Sequence, residues 1–494
     1  MDANNLKSNE SVMNHQGLVL GVGWTANGLA ELLDGEWINP PANDWKAVNF
    51  VHSGEGVLIS ENNTVLILRE HNLKKLHTAK RRVVGLVSLE PALDAPDDIP
   101  QLIIKSDIKL VQKKLAESTR PLMNGKIVGV AGSVGKTSTK DMLAHVLEHF
   151  GAVRSTRGTY NTVGSLYHTF AESAVDPDFA VLEVTTHLLS RGWKSNSNGR
   201  LVSPHCVIIT FVCLEHADEL GFKNEFDAAR TNARLCEYMQ PNSICFIPYE
   251  MRTYEYIKGI VTGYGCTPIS YGYDENADVR IESIAADVDG SIIEANIFNE
   301  KVSYKLPKYG KGMALNSLAV LSVVQHFGLD VHEGAKQLLT TPFTNSRQEL
   351  KTINLAGGEL RIINDCFNAQ LPSVFDAIDA LKNIPNPGGR KVAILGFVKN
   401  FENDPEKGYL PIAKTLTDSG FDHIFLIGEK IREITMHLKP NTYTCFDFPP
   451  SDDTLKKITS FLKPHDVVLV KSSEKDNLAL RLIKTIKARK TLAR

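Results

Sequence analysis

The run Lys126-Ile-Val-Gly-Val-Ala-Gly-Ser-Val-Gly-Lys-Thr-Ser-Thr139 gathers the residue types that phosphate chemistry requires. Glycines at 132 and 135 let successive backbone N–H groups converge on an anion. Lys136 offers a cation to β- and γ-phosphate oxygens, and the Thr137 hydroxyl suits Mg²⁺. An apolar strand leads into the turn. A helix leaves it with Met142, Leu143, Val146, Leu147 and Phe150 on one face, closing at Gly151. The spacing departs from GxxxxGK[ST], because Val130 stands where the first glycine belongs and Gly129 lies one place off. The strand–turn–helix context still predicts a nucleotide loop, with Gly132, Ser133, Gly135, Lys136, Thr137 and Ser138 as its contacts.

Two further strand ends carry groups that fit a metal-assisted reaction. Asp178-Phe-Ala-Val-Leu-Glu183 is an apolar strand released into a carboxylate, the way a phosphate-loop fold presents an oxygen ligand to Mg²⁺. Cys206–Val212 runs into Leu214-Glu215-His216-Ala217-Asp218, which makes His216 a candidate ligand for a second cation.

The elements that must hold these groups read as α/β. At 494 residues, length alone predicts roughly two to four domains. Short apolar strands alternate with helical patterns: Leu360–Ile363, Ser373–Lys382, Lys391–Leu395, Pro411–Ser419, His423–Ile427 and Asp466–Val470. Fully apolar short strands predict parallel sheets buried on both faces. Up to about residue 120 the chain mixes short strands (Gly17–Val22, Gly56–Ser60, Thr64–Leu68, Val83–Val87) with a few helices. Breaks near Glu117–Gly125 and Thr340–Ser346 divide the chain into 1–123, 124–345 and 346–494.

Composition narrows the class. The chain is 43% hydrophobic, 23% charged and 7% aromatic, which excludes a disordered protein. Lys+Arg 55 against Asp+Glu 57 gives a net charge of −2, so general nucleic-acid binding is not expected. No apolar run approaches the roughly 18 residues of a membrane span. The polar start carries no secretory core, and seven scattered cysteines fit a reduced, cytoplasmic protein. The basic run Lys484–Arg494 reads as a solvated helix face, Cys366 as a packed thiol, and Trp45 and Trp193 as packing residues.

In their order along the chain, GVAGSVGKTSTK, TYNTVG (159–164), the VLEV strand, the strand with its EH element and LNSLAVLSVV (315–324) resemble the Mur ligases. Arg347 and Asn364-Asp-Cys-Phe-Asn-Ala-Gln-Leu-Pro-Ser373 resemble the DDSYNANPDS run of that family, and the likeness covers about residues 124–480. The resemblance implies an α/β, three-domain architecture: an N-terminal substrate domain, a central P-loop ATPase domain and a C-terminal Rossmann-like domain that takes the amine substrate. It implies ATP and Mg²⁺ as cofactors, with Lys136 on the phosphates, Thr137 and Glu183 on one Mg²⁺ and His216 on a second. Asn161 and Asn316 would lie near the nucleotide, Arg347 on the phosphates and Asp365 on the ribose. The implied activity is ATP-dependent joining of a carboxylate to an amino acid or peptide amine. A carboxylate is a poor electrophile; phosphorylation supplies the leaving group, and cations screen the charge that would repel the nucleophile. Two alternatives from other classes are a phosphotransferase or NTPase that forms no amide, and a nucleotide-binding module without catalysis. Amine-dependent ADP release separates the ligase from the phosphotransferase or NTPase.

The departures from the family pattern fall at the substrate ends. The DSR-type stretch has no clear counterpart in Asn43–Phe50, the loop after Gly396 reads Phe-Val-Lys-Asn-Phe-Glu, and the KGSR-like end is Lys471-Ser-Ser-Glu474. The HNxxN element keeps only Asn316. The metal-bridging carbamylated lysine, about fourteen residues after His216, falls on Arg230. Either His216 holds the second cation with help from Glu215 or Asp218, or, in a partly buried cleft, the guanidinium replaces that cation and grips phosphate or carboxylate bidentately; the second is favoured. These changes predict a non-standard substrate pair; oligomeric state stays open, with a monomer sufficient.

Overall fold

The computed structural model describes residues 17–52, 62–68, 82–158, 162–172, 176–192, 197–214, 217–287, 289–396, 398, 405–473 and 478–492. The chain forms two compact units, residues 1–129 with 151–205 and residues 130–150 with 206–494. Among the described residues, no helix is long and apolar enough to cross a membrane.

In the first unit a five-stranded sheet runs in the order Gly35–Ile38, Gln101–Ile104, Val83–Ser88, Thr64–Ile67, Asn49–His52. The first pair is antiparallel and the other three are parallel. The helix Ala26–Leu33 starts where Thr25 Oγ1 accepts from Gly28 N, and buries Leu29 and Leu33 against Phe50, Val65, Ile67 and Leu102. The strand expected over Gly17–Val22 shrinks to Leu18–Val19, because Gly17, Gly21 and Gly23 all take positive φ and turn the chain. Gly56–Ser60 lies outside the described residues, as does Trp193. Trp45 packs edge-on against Trp37, donates to Val84 O at 2.8 Å, and lines an open cavity of about 650 Å³.

The same unit buries an unprotonated histidine. His168, on the helix Val163–Ala171, donates through Nε2 to Asn49 Oδ1 at 3.0 Å, while Asn49 Nδ2 donates to Thr64 Oγ1. Burial, then Arg157, His52 and Arg154, push its pKa down from 6.5 to about 4. Between those values the unfolded chain binds the proton and the folded one does not, so stability is lost as pH falls from 6.5 to 4. His168→Gln keeps a donor for Asn49 and removes the titration. Its denaturation midpoint is expected to vary less than the parent's across that window; equal slopes would place the acid sensitivity elsewhere.

In the second unit Cys206–Ile209, Ile244–Pro248, Thr267–Gly272 and Val279–Asp287 pair in parallel; the first falls within the apolar strand expected over Cys206–Val212, and sequence reasoning missed the other three. Sequence reasoning missed the antiparallel arm that follows, Gly290–Ile297 and Glu300–Leu306. Its alternation, Ile293, Ala295 and Ile297 inward with Glu294 outward, is that of a sheet with one wet face. The C-terminal part is a six-stranded sheet ordered Glu349–Leu355, Gly358–Asp365, Val467–Lys471, Lys391–Leu395, His423–Ile427, Tyr443–Phe446. Only its first pair is antiparallel. Separate apolar clusters cover its two faces, one under Leu371–Asn383 and the helix ending at Ser419, the other under Asp452–Phe461 and the last helix. Doubly covered parallel strands leave their carboxyl ends, Asp365 and Lys471, as the natural binding edge.

Candidate active site

Backbone geometry makes the phosphate loop. Gly132 has φ +136°, and a Cβ there would lie 2.2 Å from Thr210 Oγ1; at Gly135, with φ +95°, it would lie 2.7 Å from Asn316 Oδ1. Both sites therefore exclude any side chain. The loop is fastened from later strands and a helix: Gly132 N donates to Asn232 Oδ1 at 2.9 Å, and Ser133 N and Val134 N donate to Phe211 O. Ser133 Oγ donates to Cys213 O at 2.9 Å and accepts from Cys213 N at 3.1 Å. The helix Lys136–Glu148 then begins at Gly135 with no side-chain cap and no acid in its first turn. Such an end presents backbone donors and a partial positive charge to an anion. Lys136 Nζ folds back on Gly132 O at 2.6 Å and Ser133 O at 3.0 Å, which keeps it over the loop. Ser138 is buried behind it. The loop fits a nucleotide's phosphates.

Arg347 approaches the loop from the C-terminal sheet. Its guanidinium lies over the Phe367 ring, 4.1 Å from the centroid, and Nη2 donates to Thr137 Oγ1 at 2.9 Å. The hinge around it is held by several polar groups. Ser346 and Gln348 both take positive φ. Lys308 Nζ donates to the carbonyls of Arg347 and Gln348, each at 2.9 Å, and its burial pulls its pKa down to about 8. Thr344 donates to Asp141 on the loop's own helix. Asp365 accepts from Gln348 N through Oδ1 and pairs with Lys471 through Oδ2 at 2.7 Å. The carboxylate expected on a ribose thus sits in an ion pair at the strand ends.

The remaining candidates divide. Asn316 stands against Gly135, beside the loop as expected. Glu183 ends the strand Phe179–Glu183 in the first unit, 3% exposed, its N–H donating to Thr156 Oγ1 at 2.9 Å. His216 and Asn161 lie outside the described residues. Thr137 and Glu183 are oxygen donors of the kind Mg²⁺ takes; among the described residues no group of three or more His, Cys, Asp or Glu could hold a metal. Arg230 corrects the sequence reading. Its side chain is 62% exposed and pairs with Asp227 at 2.9 Å, so it does not stand in a partly buried cleft. The loop is met instead by Asn232 of the same helix, Glu225–Ala233, which sequence reasoning missed along with Lys308. The small-residue face Ala228, Ala229, Asn232, Ala233 was the available signal. Cys366 is packed, its Sγ 3.4 Å from Val470 O.

A phosphate loop crossed by an arginine from a Rossmann-like sheet defines an enzyme that uses ATP to activate a second substrate. Comparison with known proteins names the group more closely. The Mur ligase middle domain matches residues 130–324 and the Mur ligase glutamate ligase domain matches residues 347–474, and the chain belongs to the Mur ligase family, ATP-dependent enzymes that form amide bonds. The UDP-N-acetylmuramoyl-tripeptide–D-alanyl-D-alanine ligase of Synechocystis is 25% identical over 390 residues, 79% of this chain and 81% of that protein. Among solved structures, MurF from Acinetobacter baumannii superposes with a TM-score of 0.73 at 19% identity, covering 94% of this chain and 99% of that one. MurF from Thermotoga maritima in complex with ADP gives 0.67 at 19%, covering 91% and 99%.

Proposed function

We propose that this enzyme joins a small-molecule carboxylate to an amino acid or peptide amine in the cytoplasm, on a substrate pair different from that of its named relatives. Residues 1–123 would receive the acid, 124–345 the nucleotide and 346–494 the amine. The observation that carries the reading is Arg347 Nη2 on Thr137 Oγ1, which brings a fixed cation to the phosphate loop. Bound ATP supplies the γ-phosphoryl group that turns the acid into an acyl phosphate, from which the amine displaces phosphate. Lys136 and the uncapped N–H groups that open its helix hold the phosphates, and Arg347 neutralises charge on the transferred group. Thr137, Glu183 and His216 would ligate Mg²⁺, while Asn161, Asn316 and Asp365 would position the nucleotide.

Amino acids and dipeptides screened for stimulated phosphate release against pools of acids test the reaction class. Release that no amine stimulates would leave an NTPase. The rewritten stretches at 43–50, 397–402 and 472–474 motivate the substrate half of the proposal. With UDP-N-acetylmuramoyl-tripeptide and D-alanyl-D-alanine, turnover is expected far below the order of 10 s⁻¹ typical of an enzyme on its own substrate. Turnover at that level would overturn the altered pair and leave the reaction class standing.

A further inference from the structure

Asp376 joins two elements that approach the phosphate loop. It lies on the helix Leu371–Asn383 of the C-terminal sheet. Its Oδ1 accepts from Gly312 N at 2.7 Å and its Oδ2 from Gln348 Nε2 at 2.9 Å. The first bond caps another helix. Lys311–His326 begins at Gly310 with no side-chain cap of its own and no acid in its first turn, so the carboxylate from residue 376 supplies what a local Asp or Ser would. Room for it is kept by glycine. A Cβ on Gly310 would lie 2.6 Å from Asp376 Oδ1, and one on Gly312 would lie 2.9 Å from its Cγ. The capped helix carries Asn316, which stands against Gly135. The second bond fixes Gln348, whose neighbour Arg347 reaches Thr137.

We propose that Asp376 is a positioning residue for nucleotide binding, setting Asn316 through its helix cap and Arg347 through Gln348. The inference rests on the reading of Arg347 as a nucleotide contact. Three features separate it from ordinary packing. The carboxylate uses both oxygens, each on a different element. Those elements end at different points of the same loop. At Gln348, backbone N–H, backbone carbonyl and side-chain amide are all held, by Asp365, Lys308 and Asp376 respectively.

The charges around Asp376 give the contact a pH signature. Loss of water raises its pKa from 3.8 to about 7; Gly312 N–H opposes this, Asp365 and Asp379 add to it, and Lys471 offsets part. From the neighbouring sheet the phenol of Tyr273 faces it, neutral because burial and then Asp376 raise its own pKa. The seated carboxyl keeps its proton up to about pH 7, whereas a solvated one loses it near 3.8. Seating is therefore strongest at low pH, weakens as pH rises to about 7, and is flat above.

Binding of a non-hydrolysable ATP analogue with Mg²⁺, measured by calorimetry on the full chain, tests this without knowledge of either substrate. Asp376→Ala is expected to weaken binding about tenfold, as for the loss of two hydrogen bonds that leaves Gly312 N–H and the Gln348 amide without their partner. In an Arg347→Ala background the same change should cost about threefold or less, since part of its effect runs through Arg347. Asp376→Asn should bind within about twofold of the parent at pH 7.5. Its carbonyl can accept from Gly312 N, and Gln348 Oε1, which meets no donor among the described residues, can turn to accept from the new amide. It should also make the denaturation midpoint vary less between pH 4 and 7, the window between the solvated and seated pKa values. If Asp376→Ala does not fold, Gln348→Ala is expected to weaken binding about threefold. Equal losses in both backgrounds, or a pH dependence unchanged in Asp376→Asn, would overturn the positioning role. Arg347→Ala with undiminished affinity would instead overturn the reading of Arg347, and this inference with it.

Discussion

Lys136→Ala is expected to reduce ATP turnover by about three orders of magnitude while leaving the thermal transition in place. The lysine's ammonium bonds to the loop itself, on the carbonyls of Gly132 and Ser133. Phosphoryl transfer asks little of the protein beyond position and charge, so a cation aimed between β- and γ-phosphates is among the largest contributions it can make. The loop's shape does not depend on that side chain. Gly132 N, Ser133 N and Val134 N are held by Asn232 and Phe211, and Ser133 Oγ by Cys213. Phosphate release and a thermal melt on the same preparation decide the matter. Wild-type turnover in a folded variant would remove this loop from the ATP site.

The second large effect concerns Glu183→Gln. The exchange preserves shape, and the backbone bond from residue 183 to Thr156 does not use the side chain. What it removes is a negative charge, which a hard divalent cation prefers to a neutral amide oxygen. Turnover at fixed Mg²⁺ is expected to fall about a hundredfold and the half-saturating Mg²⁺ concentration to rise about tenfold. A superimposable Mg²⁺ titration would place the metal on other groups. Any change in fold would show in the melt, because Glu183 is almost fully covered.

How far the site could be read from sequence depended on the range of the interaction. Gly132, Gly135, Lys136 and Thr137 act within a few residues of one another, so their types and spacing sufficed. Arg347 and Thr137 are 210 positions apart, and no local pattern joins them; family resemblance alone suggested that they meet at the nucleotide. Arg230 shows where counting fails. Position carried from a resemblance fixes a residue along the chain, but a helix turns about 100° per residue, so neighbours two apart face nearly opposite ways. Asn232 took the inward face, and Arg230 was left in water beside Asp227. The parallel strands of the C-terminal sheet were legible because burial on both faces makes them mostly apolar, whereas Val279–Asp287, with Arg280, Glu282 and Asp287, offers no such run. The arm Gly290–Leu306 was not sought, although its alternation was present.

The fastening of the phosphate loop bears on how the protein is made. A ribosome delivers Gly132 to Thr137 early, but the backbone N–H groups of Gly132, Ser133 and Val134 and the Ser133 hydroxyl bond to residues that emerge later, Phe211, Cys213 and Asn232. The arginine that crosses to it arrives later again, at 347, and the carboxylate that caps the Asn316 helix at 376. A nascent chain arrested before residue 232 therefore carries the full signature in its letters while lacking the bond that seats its first glycine. Nucleotide can protect only chains that already possess the bound conformation, so in cells its stabilising influence begins near the end of synthesis, after more than two-thirds of the polypeptide has left the tunnel.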